Sequence, residues 1–91
     1  MVPVQRLAAG GVAELLRHQP LSPGKVAFAW RVSVGPQIGR VTEVTLAATG
    51  RLHVRATDPR WRREIERSRP LILSRLENLL GRDVVRGISV S

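Results

Sequence analysis

The residues in this chain best equipped for chemistry are its arginines, and between Gly50 and Gly81 they fall into two patterns. Arg51, His53 and Arg55 alternate with Leu52, Val54 and Ala56, the period of a strand with one polar and one apolar face. Arg60, Arg62, Arg63, Arg67 and Arg69 follow in a helical stretch that opens at Asp58-Pro59. A guanidinium is permanently charged and presents a planar donor fork matched to phosphate, so this unit suits holding a polyanion. Arg60–Glu64 and Arg62–Glu66 stand at the i,i+4 spacing of ion pairs and are expected to neutralise one another. Arg63 and Arg67 are also one turn apart but carry like charge, which is unfavourable unless an anion sits between them. Arg69 lies outside both pairings. The candidate nucleic-acid-binding residues are therefore Arg51, Arg55, Arg63, Arg67 and Arg69.

The composition points the same way. Fifteen basic residues against seven acidic ones give a net charge of +8, and Lys25 is the one basic residue that is not arginine. A GC-rich genome accounts for arginine replacing lysine, but not for the excess of positive charge. With 43% hydrophobic residues the chain has the material for a core, and its length is that of one domain. There is no cysteine, which removes disulfides, thiolate nucleophiles and cysteine-ligated zinc. The two histidines, His18 and His53, fall in unrelated segments, and no HExxH or carboxylate cluster has metal-ligand spacing. Gly35 and Gly39 give GxxxG with no Lys-Ser/Thr after it, so no phosphate loop is present. A non-enzymatic protein without a cofactor is expected. No signal-peptide pattern or apolar run of bilayer length occurs, so the expected location is the cytoplasm, away from membranes.

These arginines need elements to hold them. A first helix is expected over residues 5–18, with Ala9, Val12, Ala13 and Leu16 on one face, weakened by Gly10-Gly11. Ser22-Pro23 caps a second helix from Lys25 to about Val34, apolar on most sides and so expected to be central. Gly35-Pro36 interrupts it. Strands are expected at 42–48 and 51–57, joined by a two-residue turn at Thr49-Gly50. Asp58 caps a third helix that Pro70 splits near 59–69 and 70–80, with Ile72, Leu73, Leu76, Leu79 and Leu80 as its buried stripe. Gly81 closes it, and residues 84–90 form a last strand with a bulge at Gly87. The order reads as an α+β domain with helices on one face of a small sheet. Trp30 and Trp61 are assigned to the core. With no tyrosine, and its single phenylalanine, Phe28, on an apolar helix, the sheet offers no aromatic platform for bases. Nucleic-acid binding is then expected to be backbone-directed, with weak sequence preference.

From Leu21 to Val90 the sequence resembles the DciA-like family. The resemblance rests on Trp30, Val34-Gly35, Ile38 and the strand Leu52-His53-Val54-Arg55. It continues through Trp61 with Arg63-Glu64-Ile65, Pro70-Leu71-Ile72-Leu73 and Leu76-Glu77-Asn78-Leu79-Leu80-Gly81. It implies a KH-like α+β fold, DNA as a partner, and a role in loading or operating the bacterial replicative helicase. The GxxG loop with which KH domains proper clamp nucleic acid is not in this sequence, so the site residues rest on charge geometry alone. Two other functions stay open: a protein-interaction module without nucleic-acid binding, and an RNA-binding KH-like protein.

Overall fold

The computed structural model describes residues 19–91, so the helix expected at 5–18 and His18 lie outside the described residues. Helix α1, Pro23–Val34, begins as its sequence dictates: the Ser22 side chain accepts from the Lys25 N–H at 3.1 Å, and proline occupies the first turn. Gly35 ends it at φ +89°, a conformation that L side chains rarely adopt, and Pro36 starts the short helix α2, Pro36–Arg40. Strand β1 is Thr42–Leu46 and β2 is Arg51–Ala56. Asp58 caps α3, Pro59–Arg67; α4, Arg69–Leu80, follows after a break at Ser68, two residues ahead of Pro70. Gly81, at φ +103°, closes α4, and β3 is Gly87–Val90.

The sheet order is β1-β2-β3. β1 and β2 are antiparallel, with Glu43 opposite Arg55 and Thr45 opposite His53. β2 and β3 are parallel, which requires a long crossover, and α3 with α4 supplies it. Leu52, Val54 and Ile88 point to the helix layer and are buried with Val26, Ala29, Trp30, Ile65, Ile72, Leu76, Leu79 and Leu80. The alternate residues Glu43, Thr45, Arg51, His53 and Arg55 are exposed on the other face. The fold is thus α+β, a three-stranded sheet with helices packed on one side.

Trp30, 1% exposed, is the largest buried side chain, and its indole N–H donates to Thr42 Oγ1 at 2.8 Å. The Thr42 hydroxyl donates onward to the Ile38 carbonyl at 2.7 Å, so one polar chain ties α1, α2 and β1 together. Arg75 on α4 donates to the Ser33 carbonyl at 2.9 Å, covering the carbonyl end of α1.

Three local expectations give way to tertiary structure. α1 is one-sided rather than central: Phe28 and Val32 are 40% and 52% exposed. Among the described residues, the sheet and α4 cover two of its sides and leave Phe28 and Val32 on the uncovered one. The hairpin turn spans Ala47–Gly50, closed by the Gly50 N–H donating to the Ala47 carbonyl at 3.0 Å, so β1 ends at Leu46. Gly50 has φ +90°, and a Cβ there would come within 2.8 Å of Arg86 Cγ. The last strand starts only at Gly87, which leaves Val85 outside it and removes the need for a bulge.

Ser33 is buried with no partner for its hydroxyl. A buried, unsatisfied hydroxyl is unfavourable, and alanine favours helix more than serine does. Ser33→Ala should therefore stabilise the fold by about 1 kcal/mol, read as a higher urea midpoint at unchanged m-value.

Candidate nucleic-acid interface

On β2, alternation with buried Leu52 and Val54 sends Arg51, His53 and Arg55 to the open sheet face. Register then decides what they meet. Arg55 stands across from Glu43 and pairs with it, Nη2 to Oε2, at 2.6 Å. Arg51 stands beside Gly87 on β3, and its guanidinium lies over the place where a Cβ would be, 3.0 Å from Nη1. The acidic neighbour of Arg55 comes from another strand, so no i,i+4 count on β2 could have found it.

α3 sets the second group. Ile65 is fully buried and fixes the inward direction. At about 100° per residue, Arg63 and Arg67 lie roughly 160° from it on either side, and Arg60 roughly 140°. These three form the outward face of α3. The ion pairs differ from the i,i+4 expectation. Arg60 folds back to Asp58, with Nη2 3.2 Å from Oδ2 and Nε 3.4 Å from Oδ1, and Glu64 takes Arg67 at 3.7 Å. Long helical side chains lean toward the N-terminus, so Arg60 and Arg67 reach acids that precede them in sequence. Arg62 and Arg69 are half-buried, and the Nε of each is shut from solvent without a partner. Arg63 is exposed and, among the described residues, forms no salt bridge.

The candidate arginines therefore do not converge. The layer of helices separates Arg51 and Arg55 on the open sheet from Arg63 and Arg67 on the outward side of α3. Arg69 sits at the α3–α4 junction.

Asp58 does two jobs. One carboxylate oxygen caps α3 by accepting from the Arg60 N–H at 2.8 Å, and both oxygens meet the Arg60 guanidinium. The side-chain hydrogen bonds from Arg60, then the backbone one, hold its carboxyl below the ordinary 3.8, with a smaller contribution from the charge of Arg63. A depressed folded-state pKa gives stability that is present above the unfolded value and lost as pH falls through the folded one. Asp58→Asn keeps a capping oxygen and removes the charge. The stability gap between parent and variant should be full near neutrality, shrink as pH drops below 3.8, and close at the acid end of a urea-denaturation series.

Trp61 departs from its expected place. It is half-buried and is not among the core residues. Only about 40° from Ile65, but a full turn earlier, it lines an open groove of ≈570 Å³ between α2 and the start of α3. Ile38 and Pro36 line the groove on the α2 side, Glu64 lines it from α3, and Arg40 and Arg60 flank it. The sequence carried a signal for this, since Trp61 sits among Arg60, Arg62 and Arg63 in the first turn of a polar helix, an unusual setting for a core tryptophan.

The family model described as Dna[CI] antecedent, DciA, matches residues 3–90. This chain belongs to the DciA family. The match runs through both arginine groups, Trp30 and Trp61, and the family is associated with helicase loading in bacterial replication. Neither a curated protein nor a solved structure matches the chain. Among the described residues, no helix is long and apolar enough to cross a membrane, and no three His, Cys, Asp or Glu side chains gather as a metal cluster would.

Proposed function

We propose that this DciA-family domain is a non-enzymatic DNA-binding element of helicase loading, acting in the cytoplasm through arginine–phosphate contacts on the outward face of α3. The observation that carries the reading is the placement of Arg60, Arg63 and Arg67 together opposite Ile65, with Arg63 free of any acidic partner among the described residues. On the sheet, Glu43 holds Arg55 at 2.6 Å, closer than Asp58 holds Arg60 (3.2 Å) or Glu64 holds Arg67 (3.7 Å), which leaves that face less able to draw phosphate. The mechanism needs no moving part: arginines displace the counterions condensed on the DNA phosphates, and the ions released drive association. Base identity enters little, because arginine–phosphate contacts carry no sequence information. The helix-covered three-stranded sheet accords with a KH-like fold, although the site lies on a helix face rather than a GxxG loop.

Fluorescence anisotropy over a salt series tests this. Three or four neutralised phosphates give log K against log salt a slope of roughly −3 to −4 on duplex DNA. Binding that ignores salt, or none at 50 mM salt, would refute it. One observation favours a second function. Phe28 and Val32 are exposed one turn apart on α1, and an apolar pair of that kind suits a protein partner such as the helicase. Under that reading, Phe28→Ser with Val32→Ser abolishes helicase capture while leaving the DNA salt slope intact.

A further inference from the structure

The groove at Trp61 is a cavity that the proposed phosphate contacts do not account for. Its lining combines apolar Ile38 and Trp61 with the cationic Arg40 and Arg60. Arg40 is exposed, with its Nε donating to the Pro36 carbonyl at 3.3 Å, and Arg60 is held at the rim by Asp58. Going around α3 away from the groove, the order is Trp61, Glu64, Arg60, Arg67, Arg63. An aromatic slot thus opens directly onto the row of arginines. A volume of ≈570 Å³ falls within the roughly 300–1,000 Å³ of small-ligand sites, and the groove is open-sided, so a polymer can pass through it.

Building on the DNA-binding reading, we propose that this groove takes an unpaired base of single-stranded DNA, stacked on the Trp61 indole, with the flanking phosphates on Arg40 and Arg60. Half-exposure fits the role, since the residue is neither sealed in the core nor free of the fold. Stacking tolerates any base, because each has a π-face, whereas bases inside a duplex offer no free face to a groove. The domain then has a duplex-capable arginine face and, next to it, a slot specific for unpaired strands. A protein side chain could also enter an aromatic groove. The paired cations at its margins and their continuity with the α3 arginines favour a polyanion.

Three probes with the same number of phosphates read this at 50 mM salt: oligothymidylate, the same backbone without bases, and a duplex of half as many base pairs. Binding of oligothymidylate should quench the Trp61 part of the emission and leave the buried Trp30 part unchanged. Trp61→Phe should lose the quenching and keep affinity to within a few fold. Trp61→Ala, with its fold checked by circular dichroism, should weaken oligothymidylate binding by roughly 5- to 150-fold at unchanged salt slope. It should bind oligothymidylate and the abasic strand alike, and its duplex affinity should stay close to that of the parent. Arg40→Ala, which does not depend on replacing the indole, should make the single-strand slope shallower by roughly 0.7. Parent protein that binds oligothymidylate without quenching, or that binds the abasic strand as tightly, overturns the stacking site while leaving the DNA reading in place. Parent protein that binds none of the three overturns both.

Discussion

Trp30→Ala unfolds this domain, or leaves it so close to its midpoint that modest urea suffices. The indole is 1% exposed at the meeting of α1 and the sheet, and large-to-small changes of this kind cost about 3–5 kcal/mol. Small domains have only about 5–10 kcal/mol in total. The packing loss is not the whole effect, since removing the indole N–H also strips Thr42 Oγ1 of the donor that links α1 to β1. Thr42→Val separates the two contributions: it keeps the indole and leaves its N–H unsatisfied, for a cost of about 1–3 kcal/mol. Urea titration followed by circular dichroism gives both numbers. A Trp30→Ala protein with the parental midpoint would mean that the indole is not the keystone of the core. Trp61→Ala should cost much less, because Trp61 is only half-buried.

Reversing Arg63 and Arg67 to Glu weakens DNA binding by roughly tenfold or more at 50 mM salt and makes the salt slope shallower by ~2. Both side chains are exposed on the face opposite Ile65, and neither packs in the core. The only described ion pair lost is Arg67–Glu64 at 3.7 Å, and an exposed pair of that kind contributes about 0–1 kcal/mol. The fold should therefore survive, and thermal melting checks that it does. The informative comparison is Arg51→Glu with Arg55→Glu on the open sheet. The charge change is the same, but Glu43 holds Arg55 at 2.6 Å, closer than Glu64 holds Arg67 at 3.7 Å, so the loss of binding should be smaller. If the sheet pair proves the stronger, the interface lies on the opposite side of the molecule. If both pairs are silent, the protein-docking face at Phe28 and Val32 becomes the leading function.

Much of the architecture was legible wherever a signal acts over a turn or less. Ser22-Pro23 and Asp58-Pro59 start helices because capping oxygens and a fixed proline φ act on the next two or three N–H groups. Gly81 ends α4 at a positive φ, as a glycine after a leucine-rich stripe suggests. Alternation from Arg51 to Ala56 set both the strand and the face on which the arginines emerge. The sign of the surface, the lack of thiol chemistry and the resemblance to the DciA-like family were likewise in the sequence.

Partnership was a different matter. Glu43 meets Arg55 because two strands pair in one register, and a shift of one residue would have put it elsewhere. Arg60 takes Asp58 and Arg67 takes Glu64 because side chains on a helix lean toward its start, so spacing alone named the wrong acids. Trp30 and Trp61 look alike as helical tryptophans, yet one closes the core and the other lines a groove, because only Trp30 lies over the sheet beside Thr42. What the sequence determined by itself was where α1, α3 and α4 begin or end, the alternating faces of β2 and the net charge, all properties of neighbours along the chain. Which arginines stand together, which are already paired and which tryptophan remains accessible were decided by tertiary structure, because each depends on surfaces supplied by segments distant in sequence.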